Sequence, residues 1–216
     1  MASKLVAIIT MSTRGTRVGP KVAEFVRKAI EKPLADSGID VNPVDLVKFN
    51  LPVYNEAVAP ASVPARGSFQ FAHTKAWSAE IARYDGYVLV IPEYNASVAG
   101  GTKNAIDYLY NEWKGKPVVI VSYGVQGGRA ANDQVKGALA VPGLLVVEPR
   151  PTLAFAGQAD TFAAVGEGKL GDATRADWES NHLDTVLEAA AGLKRLLLNP
   201  KPEEEKAQAQ AEATRA

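Results

Sequence analysis

The sequence predicts an α/β fold built on a parallel sheet, and two observations carry this prediction. Short apolar segments rich in β-branched residues alternate with longer segments whose apolar residues recur at helical spacing. This strand–helix alternation repeats five times along 216 residues, a length suited to one sizeable core. Right-handed crossovers between parallel strands then place helices on both faces of the sheet.

Five segments are predicted to be strands. LVAIIT at 5–10 is apolar and rich in β-branched residues, which is typical of a buried parallel strand. A second strand is expected within 39–49, where apolar and polar residues mix. GYVLVI at 86–91, KPVVIVS at 116–122 and GLLVV at 143–147 are the third, fourth and fifth strands.

Each predicted helix has apolar residues that recur on one face. The first begins near Pro20, the third covers 102–113 and the last covers 178–198. The inward stripes of the first, second and fourth helices are Val22, Phe25, Val26, Ala29 and Ile30; Phe69, Ala72, Ala76 and Ala79; and Val135, Ala138 and Leu139.

Composition excludes several classes of function. Lys+Arg and Asp+Glu both number 24, so a net charge of zero gives no case for nucleic-acid or anionic-membrane binding. The absence of cysteine removes thiol nucleophiles and disulfides, and no His, Asp and Glu cluster has metal-ligand spacing. No segment has the length of a transmembrane helix or signal peptide, which predicts a cytoplasmic protein.

The chain is expected to form one domain over residues 1–199. The remainder, residues 200–216, is charged and has few apolar anchors besides alanine, so we expect a disordered tail.

In open parallel sheets a ligand binds beyond the carboxyl ends of the strands, where the strand order reverses. TMSTRGTRVGP at 10–20 follows the first strand and combines hydroxyl groups, glycines, Arg14 and Arg17 ahead of a helix N-terminus. These groups suit a single phosphate monoester, since the glycine spacing of a P-loop or dinucleotide fold is missing. A helix cap with solvent-facing charges explains the same residues equally well.

IPEYNASVAGG at 91–101 follows the third strand. Pro92 stiffens the turn, Tyr94 offers a flat apolar face, and Asn95 offers a donor and an acceptor, a set that suits a planar heterocycle. Alternatively, the segment is a helix start with a capping hydroxyl and a solvated Glu93. That alternative accounts for the serine and the glycines but poorly for Pro-Glu-Tyr-Asn.

SYGVQGGRAA at 122–131 follows the fourth strand and surrounds Tyr123, which we expect to be exposed, with glycines. Glycine-rich backbone at this place can donate N–H groups to a ligand edge, although a tight turn explains one or two of the glycines. A phosphate at one loop and a flat ring at two others describe a mononucleotide, and FMN fits best. The prediction is thus a flavodoxin-like, five-stranded parallel sheet of order 2-1-3-4-5 with helices on both faces.

STRGTRVGPKVAEFV at 12–26, PEYNASVAGGTKNAIDYLYNEW at 92–113 and KPVVIVSYGVQGGRA at 116–130 together carry a resemblance. In these segments the chain resembles the NAD(P)H-dependent FMN reductase family of flavodoxin-like quinone and azo reductases. The resemblance implies an FMN site in which the phosphate is held by one set of residues and the ring by two others. These sets are Ser12, Arg14, Arg17, Val18 and Gly19; Pro92, Glu93, Tyr94 and Asn95; and Ser122, Tyr123, Gly124, Gly127 and Gly128.

The resemblance also implies a function. FMN-bound enzymes of this kind pass a hydride from NAD(P)H through the flavin to a quinone or similar acceptor in a ping-pong cycle, with no catalytic side chain required. Family members form homodimers or homotetramers. An FMN-binding redox-sensing module that regulates a partner and turns over little is the alternative. Neither the physiological acceptor nor the preference between NADH and NADPH follows from the sequence.

Overall fold

The computed structural model describes residues 3–64 and 68–199 and contains a parallel sheet with added short strands. Its strands are β1 (Lys4–Thr10), β2 (Ile39–Asp45), β3 (Gly86–Tyr94), β4 (Ser97–Val98), β5 (Pro117–Gly124), β6 (Leu145–Val146) and β7 (Thr152–Ala154). The parallel strands run in the order β2-β1-β3-β5-β6, which confirms the predicted flavodoxin-like arrangement. The predicted tail, residues 200–216, lies outside the described residues.

Two differences from the predicted sheet lie at its edge. β4 pairs antiparallel with the end of β3 and is an addition to the parallel order. The fifth strand is divided, because β6 pairs with the start of β5 whereas β7 pairs with its end. Pro149 and Pro151 lie between the two pieces and have no N–H to donate to a ladder, which explains why a continuous strand does not form.

Helices cover both faces of the sheet, as predicted. They are α1 (Gly19–Ala35), α2 (Ala72–Ala82), α3 (Gly100–Asp107), α4 (Arg129–Ala140), α5 (Gly157–Phe162), α6 (Asp172–Asp177) and α7 (Leu183–Leu198). Side chains of α1 and α7 pack with alternate strand residues such as Ile8 and Val90. Residues of α2, α3 and α4 pack against the other set, which includes Ile9 and Leu89. Alternation along each strand therefore supplies both cores.

Several predicted helix details are wrong. The alanines of the α2 stripe, Ala72, Ala76 and Ala79, are exposed, whereas Trp77 and Ile81 are buried. Large side chains bury far more apolar area than alanine, so they decide which face of α2 turns inward. The third helix begins at Gly100 and ends at Asp107 rather than running to residue 113, and α5 and α6 were not predicted.

The last helix also differs from its predicted range of 178–198. A π-helical turn, Trp178–His182, precedes α7, which begins at Leu183. Trp178 is fully buried and its indole donates to the carbonyl of Ala154 at 2.6 Å. The turn thus ties the end of β7 to α7.

The start of α2 is held by the buried carboxylate of Glu56, which is 8% exposed. It accepts hydrogen bonds from the backbone N–H groups of Gln70 at 2.8 Å and Phe71 at 3.0 Å. Burial acts to raise the pKa of Glu56, but polar contacts with Thr74 and these N–H groups outweigh it and lower the pKa below 4.5. Because the folded-state pKa is depressed, the stabilisation is present above about pH 4.5 and is lost as the pH falls through the lowered pKa.

Glu56→Gln is therefore expected to reduce the free energy of unfolding by about 1–2 kcal/mol at pH 7. The difference between wild type and variant should shrink as the pH falls below 4.5. Urea denaturation at pH 7 and in acid measures both values, and Glu188→Gln, on the exposed face of α7, is the control. A difference that does not change with pH would contradict a stabilising charge.

Candidate functional site

Three loops meet at the carboxyl edge of the sheet, as predicted from the positions of their strands. The loop after β1 contacts the start of α3, since a Cβ placed on Gly101 would lie 2.6 Å from the Thr13 hydroxyl. It also contacts β5, because a Cβ on Gly19 would lie 2.7 Å from the Tyr123 hydroxyl. Gly124 in turn lies next to Glu93, at 3.6 Å by the same measure. One site can therefore be lined by all three loops.

The loop after β1 contains a buried hydroxyl without a partner. Ser12 is 1% exposed, and its Oγ has no hydrogen-bond partner among the described residues. Gly19 opens α1, which has no side-chain cap, and Val18 ahead of it is buried. Arg14 is exposed beside them. An unpaired buried hydroxyl next to a helix N-terminus is stabilised when an anion accepts its hydrogen bond, so these residues fit a phosphate group.

Arg17 has a different environment from the one predicted. Its guanidinium forms a two-pronged pair with Asp45, at 3.0 and 2.7 Å, and also donates to the carbonyl of Ser12 at 3.0 Å. Both side chains are largely shielded from solvent, at 12% and 26% exposed. Arg17 thus shapes the loop from within and does not present a free fork to a ligand.

Sequence reasoning missed Asp45. It ends β2, and besides holding Arg17 it accepts from the N–H of Val47 at 3.3 Å. An acidic residue at the carboxyl end of a strand, facing a loop with two arginines, is the signal that could have found it.

The segment after β3 is a hairpin. β3 continues to Tyr94, and Tyr94 and Ser97 face each other across the two turn residues Asn95 and Ala96. Both turn residues have left-handed backbone conformations, with φ of 52° and 54°. This is the backbone pattern of a type I′ turn, whose twist matches that of the strands. The sequence predicted a rigid loop here, not paired strands.

Ala96 occupies the second turn position, which favours glycine. We expect Ala96→Gly to raise the free energy of unfolding by about 1 kcal/mol, because alanine has a Cβ penalty in the left-handed region. Thermal and urea unfolding measure the change. Ala76→Gly, on the exposed face of α2, is the control and should change stability in the opposite direction by a similar amount. A loss of stability in both variants would contradict the turn conformation.

Polar side chains attach the hairpin to α4. Glu93 accepts from the N–H of Ala131 at 3.1 Å, in the first turn of α4. Gln134 accepts from the Ser97 hydroxyl at 2.8 Å and from the N–H of Val98 at 3.0 Å. One oxygen of the Glu93 carboxylate is therefore engaged with α4, so the side chain is not simply solvated. Gln134 was not predicted, and no local pattern marks it.

Pro92, Tyr94 and Asn95 are placed differently from one another. Pro92 is buried at the end of the sheet, where its pairing with Tyr123 of β5 keeps it in the strand. Tyr94 is 42% exposed and Asn95 is exposed at the tip of the turn. A flat aromatic face at the open edge fits a planar ring.

The buried side chain of Ser122 holds the loop after β5 through hydrogen bonds. Ser122 is fully buried, donates to the carbonyl of Gly127 at 2.8 Å and accepts from the amide of Asn132 at 3.0 Å. Gly127 and Gly128 both have positive φ, 80° and 75°. A side chain at Gly128 would meet the Tyr123 backbone at 3.1 Å, so the turn needs glycine for both conformation and space.

Tyr123 is buried, at 5% exposed, and the expectation of an exposed ring is wrong. Its ring lies beside Phe155, with centroids 6.3 Å apart, on the α1 and α7 side of the sheet. Burial raises the pKa of Tyr123 to about 12. The alternation of side chains along β5 explains the difference, because Ser122 and Tyr123 face opposite sides.

Among the described residues, no group of three or more His, Cys, Asp or Glu side chains is placed to hold a metal ion. The same residues contain no helix that is long and apolar enough to span a bilayer.

The sheet order and the site at its carboxyl edge define a flavodoxin-like α/β protein. The flavoenzyme FerB of Paracoccus denitrificans, an NAD(P)H:(acceptor) oxidoreductase, has a similar structure. Its TM-score is 0.60 at 24% sequence identity, over 87% of this chain and 97% of that one. At this identity the likeness concerns the fold alone.

Comparison of sequences identifies the family. Residues 4–160 match the model of the NADPH-dependent FMN reductase family. The chain is 46% identical to the NAD(P)H-dependent FMN reductase ntnL of Nectria sp. over 198 residues, which cover 91% of this chain and 98% of that protein. It is 33% identical to a quinone reductase of Pseudomonas putida, over 79% of this chain and 86% of the relative.

The chain therefore belongs to the NADPH-dependent FMN reductase family. It is an oxidoreductase whose cofactor is FMN and whose electron donor is NAD(P)H, which confirms the class of enzyme and cofactor predicted from the sequence.

Proposed function

We propose that the protein reduces quinone-like acceptors with electrons from NAD(P)H in a ping-pong cycle at the carboxyl edge of the sheet. The observation that carries the proposal is the buried, unpartnered Ser12 hydroxyl. It lies beside Gly19, the first residue of α1, in a loop that contacts β5 and α3. When bound, FMN supplies the redox chemistry, because it accepts a hydride from one substrate and passes electrons to the next. Quinones are the proposed acceptors because a relative at 33% identity is a quinone reductase.

The proposed cofactor contacts divide into direct and supporting ones. Ser12, Arg14 and the backbone around Val18 and Gly19 are the phosphate contacts, and the exposed face of Tyr94 is a contact for the ring. The backbone of Asn95, Gly124, Gly127 and Gly128 lines the same edge. The side chains of Arg17, Glu93 and Ser122 support these loops through hydrogen bonds to Asp45, Ala131 and Gly127, and Pro92 supports them from within the sheet.

The protein's own residues bind and orient the reactants in this proposal and do not act as acid or base. His73 is engaged with Asn55 at 3.1 Å, and His182 lies 3.6 Å from Asp177, both outside the three loops. The net reaction moves a hydride from NAD(P)H and one proton from solvent to the quinone, giving NAD(P)⁺ and a hydroquinone. Donor and acceptor use the same open edge in turn, beside Tyr94.

Steady-state kinetics test this function. The purified protein should be yellow and should oxidise NADH or NADPH when a benzoquinone is added. Double-reciprocal plots against NAD(P)H at several quinone concentrations should give parallel lines, whereas intersecting lines would contradict the ping-pong order. A yellow protein with no turnover would indicate the redox-sensing module instead. A protein that takes up no FMN would contradict the site itself.

Arg14 provides a more local test. Arg14→Ala should weaken FMN binding about tenfold, because it removes a charge-assisted contact to the phosphate from an exposed position. Fluorescence quenching of FMN by the apoprotein measures the dissociation constant. Arg83→Ala, which removes an exposed arginine directly after α2 and outside the three loops, is the control. An unchanged affinity in Arg14→Ala would argue against the phosphate assignment.

The remaining predictions are proposals of the same kind. We propose one domain over residues 1–199, a cytoplasmic location and a homodimer or homotetramer. Light scattering coupled to size-exclusion chromatography measures the oligomeric state. A monomer at micromolar concentration would contradict the proposed homodimer or homotetramer.

A further inference from the structure

Tyr123 extends from the middle of the sheet edge to the first residue of α1. A Cβ placed on Gly19 would lie 2.7 Å from the Tyr123 hydroxyl and 2.2 Å from the Ser12 Oγ. Both hydroxyls therefore converge on the one position in α1 where no side chain intervenes. The ring itself is fixed by burial and by Phe155, so the hydroxyl cannot move to the open edge without repacking the core.

The groups around this point are hydrogen-bond donors. The Ser12 hydroxyl is a close neighbour of Tyr123 and lowers its pKa, and Ser12 Oγ is paired with no other group among the described residues. At the start of α1, Pro20 has no N–H, and the N–H groups of Lys21 and Val22 donate to the Val18 carbonyl at 2.8 and 3.2 Å. The Gly19 N–H is therefore the backbone donor that this helix start can add to the two hydroxyls. At neutral pH the oxygens of a phosphate monoester act mainly as hydrogen-bond acceptors. A phosphate therefore matches this group of donors.

The charged and titratable groups that face the Tyr123 hydroxyl come from both neighbouring loops. Burial has the largest effect on the pKa of Tyr123 and raises it. Ser12, Arg17 and Arg14 lower the pKa, and Tyr94 raises it further. The phenol therefore stays protonated and can donate at physiological pH. Arg17 is already paired with Asp45, which leaves neutral donors and the exposed Arg14 to bind an anion here.

We propose that the Tyr123 hydroxyl is a ligand of the cofactor's 5′-phosphate, together with Ser12, and makes the protein select FMN over riboflavin. The proposal rests on the proposed FMN site and changes the role of Tyr123 within it. From the sequence this residue was expected at the isoalloxazine ring, whereas the hydroxyl of this buried side chain lies beside Gly19, the first residue of α1.

The test compares two flavins that differ only in the phosphate. FMN and riboflavin are titrated into apoprotein of wild type and of Tyr123→Phe, with fluorescence quenching as the readout. We expect FMN binding to weaken about 10- to 100-fold in Tyr123→Phe, since a hydrogen bond to a charged group is lost. Riboflavin binding should stay within about twofold. Phenylalanine keeps the packing against Phe155, so folding should be preserved.

Controls separate this proposal from the function on which it rests. Tyr110→Phe, whose hydroxyl donates to the carbonyl of Val141 far from these loops, should bind both flavins as wild type does. An equal loss for both flavins in Tyr123→Phe, or no loss, would overturn the proposal while leaving the FMN site intact. Wild type that binds neither flavin would overturn the proposed function instead. Inorganic phosphate should compete with FMN less well in Tyr123→Phe than in wild type, and equal competition would also overturn the proposal.

Discussion

Replacing Gly128 by alanine is expected to lower the free energy of unfolding by about 2–4 kcal/mol. Gly128 has a φ of 75°, a conformation that alanine adopts only at a cost. The new Cβ would also meet the Ser122 Cβ and the Tyr123 carbonyl oxygen at 3.1 Å. The backbone of β5 cannot give way easily because it is hydrogen-bonded within the sheet. Urea denaturation of the apoprotein measures the loss, and the melting temperature should fall by about 5–15 °C.

Gly124→Ala is the matched control for this prediction. Gly124 lies in the same loop, but it has no positive φ, and its Cβ would be in ordinary contact with Glu93 at 3.6 Å. We expect a change of less than about 1 kcal/mol in the apoprotein. If both variants lose the same stability, the left-handed conformation of Gly128 is not what the loop requires.

Gly19→Ala is expected to reduce FMN affinity about 100-fold or more, because the added methyl group displaces the two hydroxyls that are proposed to bind the phosphate. The added methyl carbon would lie 2.2 Å from the Ser12 Oγ and 2.7 Å from the Tyr123 hydroxyl, where the phosphate is proposed to bind. The Ser12 hydroxyl can rotate away, but the buried Tyr123 ring cannot, so we also expect the apoprotein to lose about 1–3 kcal/mol of stability. Urea denaturation of the apoprotein measures this loss of stability separately from the loss of FMN affinity.

Gly15→Ala tests whether that effect is specific. Gly15 belongs to the same loop, and a Cβ placed on it meets nothing within 4 Å. FMN affinity should stay within about threefold of wild type. Fluorescence titration gives both dissociation constants, and circular dichroism checks the fold. Retention of FMN affinity in Gly19→Ala would show that the space beside Ser12 and Tyr123 does not hold the phosphate.

Periodicity predicted the main elements because it is local information. The apolar runs at 86–91 and 116–122 became β3 and β5, and the stripe of α1 turned inward. Prediction failed where two patterns competed. In α2 the alanine stripe and the Trp77 stripe both have helical spacing, and the larger buried area decided between them. In the fifth strand, the prolines between β6 and β7 outweighed the apolar run.

The sequence predicted which three loops meet at the carboxyl edge of the sheet, but not how their side chains are placed there. Carboxyl ends of parallel strands meet at one edge, so the three loops could be grouped from the sequence. Their side chains could not be assigned in the same way. Glu93 is directed to α4, and Ser122 supports the loop above it. The type of a residue limits which partners its side chain can bind. Which partner it does bind depends on the residues that the fold places beside it.

The sequence by itself determined the order of the main parallel strands and the helices between them, the edge at which the three polar loops meet and the family to which the chain is similar. These follow from periods of two and 3.6 residues and from short motifs, which neighbouring residues carry. Only the tertiary structure decided that Arg17 pairs with Asp45 and that the Tyr123 hydroxyl lies beside Gly19. It also decided that Asn95 and Ala96 form a hairpin turn. Apart from the turn, those contacts join residues distant in the chain, so packing of the sheet against its helices creates them.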